Sequence, residues 1–141
     1  MCLNTVEAKF DEDNDISGTG YKCFDIINGI INGAIYGQDY QIGEVNKDTN
    51  DFNLKANDYK SYRCGYHIFI NLEDAKDLAG YWQCKVFKVS YKNVTANGTN
   101  ETKDSLSRDT KYGLCVVAKE ITILEQVVEE VQNEQTTKSP L

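Results

Sequence analysis

Of three Asn-Gly dipeptides, those at 28–29 and 32–33 stand between short apolar runs and the one at 97–98 opens a polar stretch. Asn-Gly is the favoured centre of a tight hairpin turn, because its twist matches that of two antiparallel strands. A chain punctuated this way is directed towards hairpins. The first turn follows Tyr21 to Ile27, where Tyr21, Cys23 and Asp25 alternate with Lys22, Phe24 and Ile26, and a second turn or bulge follows at once. Further strands are expected at Gly65 to Ile70, Cys84 to Tyr91, Gly113 to Val117 and Ile121 to Val128, with weaker strand signals over 34–45. Residues 46–58 and 97–111 are rich in polar residues and read as loops.

Only one segment has helical spacing with capping signals. Leu72, Ala75, Leu78 and Ala79 form an apolar stripe after Asn71, an N-cap residue with Asp74 in the capping-box position, and Gly80 supplies a stop. The fold class expected is therefore α+β: a small, mostly antiparallel sheet with one short central helix at about 72–79. Ile121, Leu124, Val127, Val128 and Val131 also fit helical spacing, so a C-terminal helix from near Leu124 is the alternative to a closing strand.

Charge divides the chain into three parts. The net charge is −7 over 141 residues. Residues 1–19 hold five acidic side chains against Lys9, and residues 125–141 hold four against Lys138, while residues 20–124 are balanced at 13 of each sign. This predicts an acidic flexible leader at 1–19, one domain at 20–128 and an acidic flexible tail at 129–141. A balanced body without a basic run argues against direct nucleic-acid binding. The five cysteines are odd in number and never spaced C-x-x-C, and no apolar stretch resembles a signal peptide or a membrane span. A reduced, cytoplasmic protein is expected.

The motifs for chemistry are fragments. Asp11-Glu12-Asp13-Asn14-Asp15 opens like a calcium loop, but Ile16 and Lys22 stand where Gly and Glu belong. Cys64 and His67 make one C-x-x-H pair without a second, which is short of a structural zinc set. His67 is the only histidine, so any His-based mechanism must use it, and it lies in an apolar strand. No phosphate-binding glycine loop or nucleophile elbow is present. The expectation is a non-enzyme with no catalytic residue, no metal and no cofactor. Nine tyrosines offer a different role. Tyr59, Tyr62, Arg63, Tyr66 and His67, joined by Tyr81 and Trp82 past the helix, have the composition of an interface hot spot, or of half-buried aromatics closing a small sheet.

Gly65-Tyr66-His67-Ile68-Phe69, then Leu72-Glu73-Asp74-Ala75-Lys76, Lys85-Val86-Phe87-Lys88-Val89 and Ala118 to Glu125, together with the Met1-Cys2-Leu3 opening, resemble a set of small phage and prophage proteins. The resemblance covers about half of the chain. It implies a mobile-element accessory protein, of which anti-CRISPR inhibitors are an example. The function expected on that basis is a counter-defence protein that binds and inhibits a host nuclease effector of the Cas9 type. The order of the same pieces is similar to the ADP-ribosyltransferase fold, which implies as alternative a degenerate binder of a nucleotide derivative through Arg63, Tyr66 and His67. A phage structural or accessory protein is the third reading.

Overall fold

The computed structural model describes residues 2–11, 13–33 and 38–128. Ten strands and one helix run through them. They are β1 (Thr5–Lys9), β2 (Ser17–Ile27), β3 (Ile30–Asn32), β4 (Asp39–Tyr40), β5 (Val45–Lys47), β6 (Asn53–Lys55), β7 (Ser61–Arg63), β8 (Tyr66–Phe69), α1 (Leu72–Trp82), β9 (Lys85–Lys103) and β10 (Thr110–Gln126). No helix among the described residues is long and apolar enough to cross a membrane.

Two long strands organise the sheet. β9 and β10 form one hairpin, paired from Lys103 opposite Thr110 to Phe87 opposite Gln126. The free edge of β9 carries β1 on its distal half and β2 on its proximal half. The free edge of β10 carries β8 and then β5. β2 also meets β8, at Tyr21 opposite Phe69. The strands β9, β10, β8 and β2 therefore form a closed circuit, which is one way a β-protein removes exposed edges. Register shifts in β10 at Val117/Ala118 and Ile123/Glu125, with Asn93 of β9 at a positive φ of 62°, bend the long strands enough to close. Closure demands a glycine: a Cβ on Gly20 would lie 2.6 Å from both the Phe69 carbonyl oxygen and Ile68 Cγ2.

The concave face of this sheet buries Phe24, Ile68, Phe87, Val89, Ile121 and Ile123, with Tyr40 edge-on to Phe24 at 5.1 Å. The alternate residues of the same strands face outward under two separate covers. Over one part lies α1, whose Ala75, Leu78 and Ala79 pack on Phe69 and Val86. Over the other lie the β6–β7 hairpin and the start of the chain, where Leu3, Val6, Ala56 and Tyr62 pack on Ala96, Cys115 and Val117.

Several expectations are corrected. The molecule is a mostly antiparallel β-structure with a single helix among the described residues, closer to all-β than to α+β. The leader at 1–19 is in fact built into the sheet: β1 pairs with β9, β2 begins at Ser17, and Leu3 and Val6 are buried. Glu7 is the one acidic residue inside β1, and the acidic run that suggested a leader lies between β1 and β2. Asn97-Gly98 is not a turn. It lies inside β9, where a Cβ on Gly98 would overlap the Thr5 carbonyl of the neighbouring strand. The polar run 97–103 stays extended because α1 lies over it, with Thr102 Oγ1 donating to the Asp74 carbonyl at 2.9 Å. The loop reading of 46–58 likewise missed β6, and Asn46 and Lys47 belong to β5.

The helix begins at Leu72 but passes Gly80 and ends at Gln83, which takes the left-handed conformation. Asn71 makes no side-chain capping bond, and Asp74 faces Lys111 instead of the helix start. Leu124 lies in β10, so no C-terminal helix starts there, and residues 129–141 lie outside the described residues. The Asn28-Gly29 turn is found, with φ of 53° and 79°.

Candidate functional site

The weak point of the closed circuit is also its cavity. After Tyr21 opposite Phe69 the two strands part: the next residues of β2 bond only to β9, and the preceding residues of β8 bond only to β10. A cavity of about 160 Å³ opens along this seam. Leu78 and Trp82 of α1 form one wall, Phe52 and Leu54 with Cys64 another, and His67, Phe69 and Cys115 line it between them. The two covers of the outer face do not meet here, which is why a cavity survives.

Lys22 enters the seam from β2. Alternation puts it on the same face as Gly20 and Phe24, among apolar neighbours. Its Nζ donates to the His67 carbonyl at 2.9 Å and lies 5.9 Å from the centre of the Phe24 ring. Burial pulls its pKa below the ordinary lysine value, against the opposing influence of Cys115 and Cys23.

His67 is held on both ring nitrogens. One N–H is directed to the Gly65 carbonyl, and Nε2 meets the Tyr62 hydroxyl at 2.9 Å. That hydroxyl also accepts the Leu3 N–H at 2.8 Å. Burial, and then the charge of Lys22, lower the His67 pKa to about 3. At neutral pH the ring is uncharged and both of its nitrogens are engaged, so it has no nitrogen to offer as a general base.

The thiols differ: the hydrogen bond with Cys23 lowers the pKa of Cys84, while Cys23 and Cys115 are raised. Burial pushes the Cys115 pKa up to about 12. Cys23 hydrogen-bonds Cys84 and donates to the Ala75 carbonyl at 3.3 Å, and the bond to Cys84, with burial, raises its pKa. Cys64 Sγ donates to the Asn50 carbonyl at 3.5 Å. Lys119 Nζ fixes that rim by donating to the Asn50 carbonyl at 2.8 Å and the Cys64 carbonyl at 3.2 Å. Asp48 lines the same cavity, and its charge helps to raise the pKa values of Tyr40 and Tyr66. Among the described residues no three His, Cys, Asp or Glu side chains are grouped to hold a metal ion, and the Cys64–His67 pair turns instead to Asn50 and Tyr62.

The residues expected to bind are not on one surface. Tyr62 is 2 % exposed and belongs to the core under the β6–β7 hairpin. Tyr66 packs against the concave core. Arg63 is ion-paired with Asp51, and His67 lines the seam. Tyr59 is 83 % exposed, in a turn with a positive φ of 67°. Tyr81 and Trp82 stand apart at the end of α1, at 39 % and 47 % exposed, with the Arg108 guanidinium 4.8 Å from the Tyr81 ring centre. His67 and Trp82 are thus the two that share the cavity. Sequence reasoning missed Lys22 and Leu54, and considered Cys115 only as a partner for the Cys64–His67 pair. A signal for Lys22 existed: it is the charged residue at an inward position of β2, between Gly20 and Phe24.

No known protein family, curated protein or solved structure matches the chain.

Proposed function

We propose that this chain is a non-enzymatic binding protein whose seam cavity takes a compact small molecule with an apolar body. The carrying observation is the cavity itself: aromatic and aliphatic walls with a few convergent polar groups, between two rigidly packed covers. Its volume of about 160 Å³ is close to that of an engineered apolar cavity that binds benzene. The guest is therefore one ring or a short branched chain in size. A nucleotide derivative is far larger, and Arg63, which that alternative needs, is committed to Asp51. His67, neutral with both ring nitrogens bonded, and Cys115, protonated, do not form a base–nucleophile pair, which supports binding over catalysis. A thermal-shift screen with ring-sized compounds tests this reading. Guests should raise the melting temperature of the wild type and not of Leu54→Trp, in which the indole fills the cavity. Equal shifts in both proteins, or none in either, would refute it.

A second reading is the counter-defence inhibitor, acting in the cytoplasm of a bacterial host on a Cas9-type nuclease. The exposed Tyr81–Trp82 pair favours it, because aromatic residues beside an Arg are typical interface anchors. Here Tyr81→Ala with Trp82→Ala should abolish both complex formation and inhibition of cleavage. A nuclease that cuts normally with excess wild-type protein present would eliminate it.

A further inference from the structure

We infer that the guest of the seam cavity is a small monocarboxylate, an aryl or branched-alkyl acid, and that the Lys22 ammonium is its counter-ion. This rests on the cavity being a ligand site and names the class of ligand.

The first observation is an uncompensated charge. Lys22 Nζ has three N–H donors, and the His67 carbonyl takes one at 2.9 Å. Among the described residues no carboxylate forms an ion pair with Lys22. Asp48, the carboxylate on the cavity wall, acts on the hydroxyls of Tyr40 and Tyr66. Of the other polar groups on the wall, the His67 imidazole is neutral and the Cys115 thiol is held protonated. Lys22 is half-buried, holds one carbonyl and meets no carboxylate, and an anion that enters the seam would give its charge a partner. Burial disfavours the ammonium in the empty cavity, and a carboxylate guest restores it.

The second observation sets the number of charges. Asp48 shares the wall with Lys22, so the site has at most one positive charge to offer a guest. A phosphate monoester, close to a dianion at neutral pH, would leave about one charge unmatched in a site of low dielectric. The third is size: about 160 Å³ between Phe52, Leu54, Leu78 and Trp82 admits a single ring or a short branched chain and its carboxylate. The amine at one end and apolar walls beyond it match an acid whose charge sits at one tip.

Matched probes test this. Phenylacetate, its neutral isostere phenylacetamide, and phenyl phosphate are titrated into the wild type and Lys22→Met by calorimetry. The acid should bind the wild type about tenfold or more tighter than the amide, in line with the strength of a charge-assisted hydrogen bond. In Lys22→Met, checked by circular dichroism for folding, the acid should lose that advantage while the amide still binds. Equal affinity of acid and amide for the wild type would overturn the carboxylate inference and leave the cavity standing. So would tighter binding of phenyl phosphate than of phenylacetate. Because these comparisons use only wild-type protein, a variant that fails to fold does not rescue the inference. Binding of none of the probes would overturn the inference and the cavity reading together.

Discussion

Lys22 Nζ spans the gap between β2 and β8 and rests on the His67 carbonyl at 2.9 Å. A side chain thus replaces the backbone ladder one residue beyond the last strand pair, Tyr21 opposite Phe69. The bond keeps a buried carbonyl satisfied where the sheet opens, and it places an amine at the cavity. Stability and binding meet in the same few residues.

The His67 pKa of about 3 has a direct consequence for stability. In the unfolded chain the imidazole titrates near 6.5. The folded state therefore binds its proton less readily, and the unfolded state gains protons first as pH falls. The contribution is intact above pH ~6.5 and is lost progressively between there and pH ~3, with a ceiling of about 5 kcal/mol. Urea denaturation at several pH values should show this slope in the wild type and a shallower one in His67→Gln. Parallel profiles for the two proteins would contradict it.

Gly20→Ala places a methyl against the Phe69 carbonyl and Ile68. Either the Tyr21–Phe69 pair opens or β2 shifts, at a cost of about 1–3 kcal/mol. Amide exchange at Tyr21 and Phe69 should accelerate more than at Val89. Unchanged protection at the seam would mean that the closure tolerates a side chain.

Lys111 joins the strand hairpin to the helix. It is ion-paired with Asp77 and lies 3.6 Å from Asp74, and its pKa is raised, chiefly by the hydrogen bond to Asp77. Lys111→Met leaves two carboxylates facing each other on α1, with Asp77 buried. Lys111 itself is partly solvated, so the loss should be about 1–2 kcal/mol and not the larger figure for a fully buried pair. The double variant Lys111→Met with Asp77→Leu should recover most of it. Failure of the second change to recover any stability would show that the ion pair is not what anchors α1.

How much of this the residues announce depends on range. The Asn28-Gly29 turn and the start of α1 at Leu72 are local features, and both are readable. Gly98 was not, because its need for a missing Cβ comes from Thr5, over ninety residues away. β1 escaped for the same reason: five residues, Thr5–Lys9, beside the acidic run at 11–15 look disordered until β9 supplies their partner. Tyr62 and Tyr66 looked like an adhesive surface, yet the covering hairpin and the curl of the sheet bury them or half-bury them. The cavity was the least legible element. It exists because two covers fail to meet over a seam, and neither the seam nor the covers are properties of a continuous segment.

The most direct measurement is a nitrogen–proton shift map of the labelled protein titrated with phenylacetate. The account predicts saturable shifts centred on Lys22, Leu54, His67, Phe69 and Cys115, with Tyr59 and the Asn28-Gly29 turn unmoved. Shifts confined to Tyr59, or spread without saturation over the surface, would contradict a binding site at the seam.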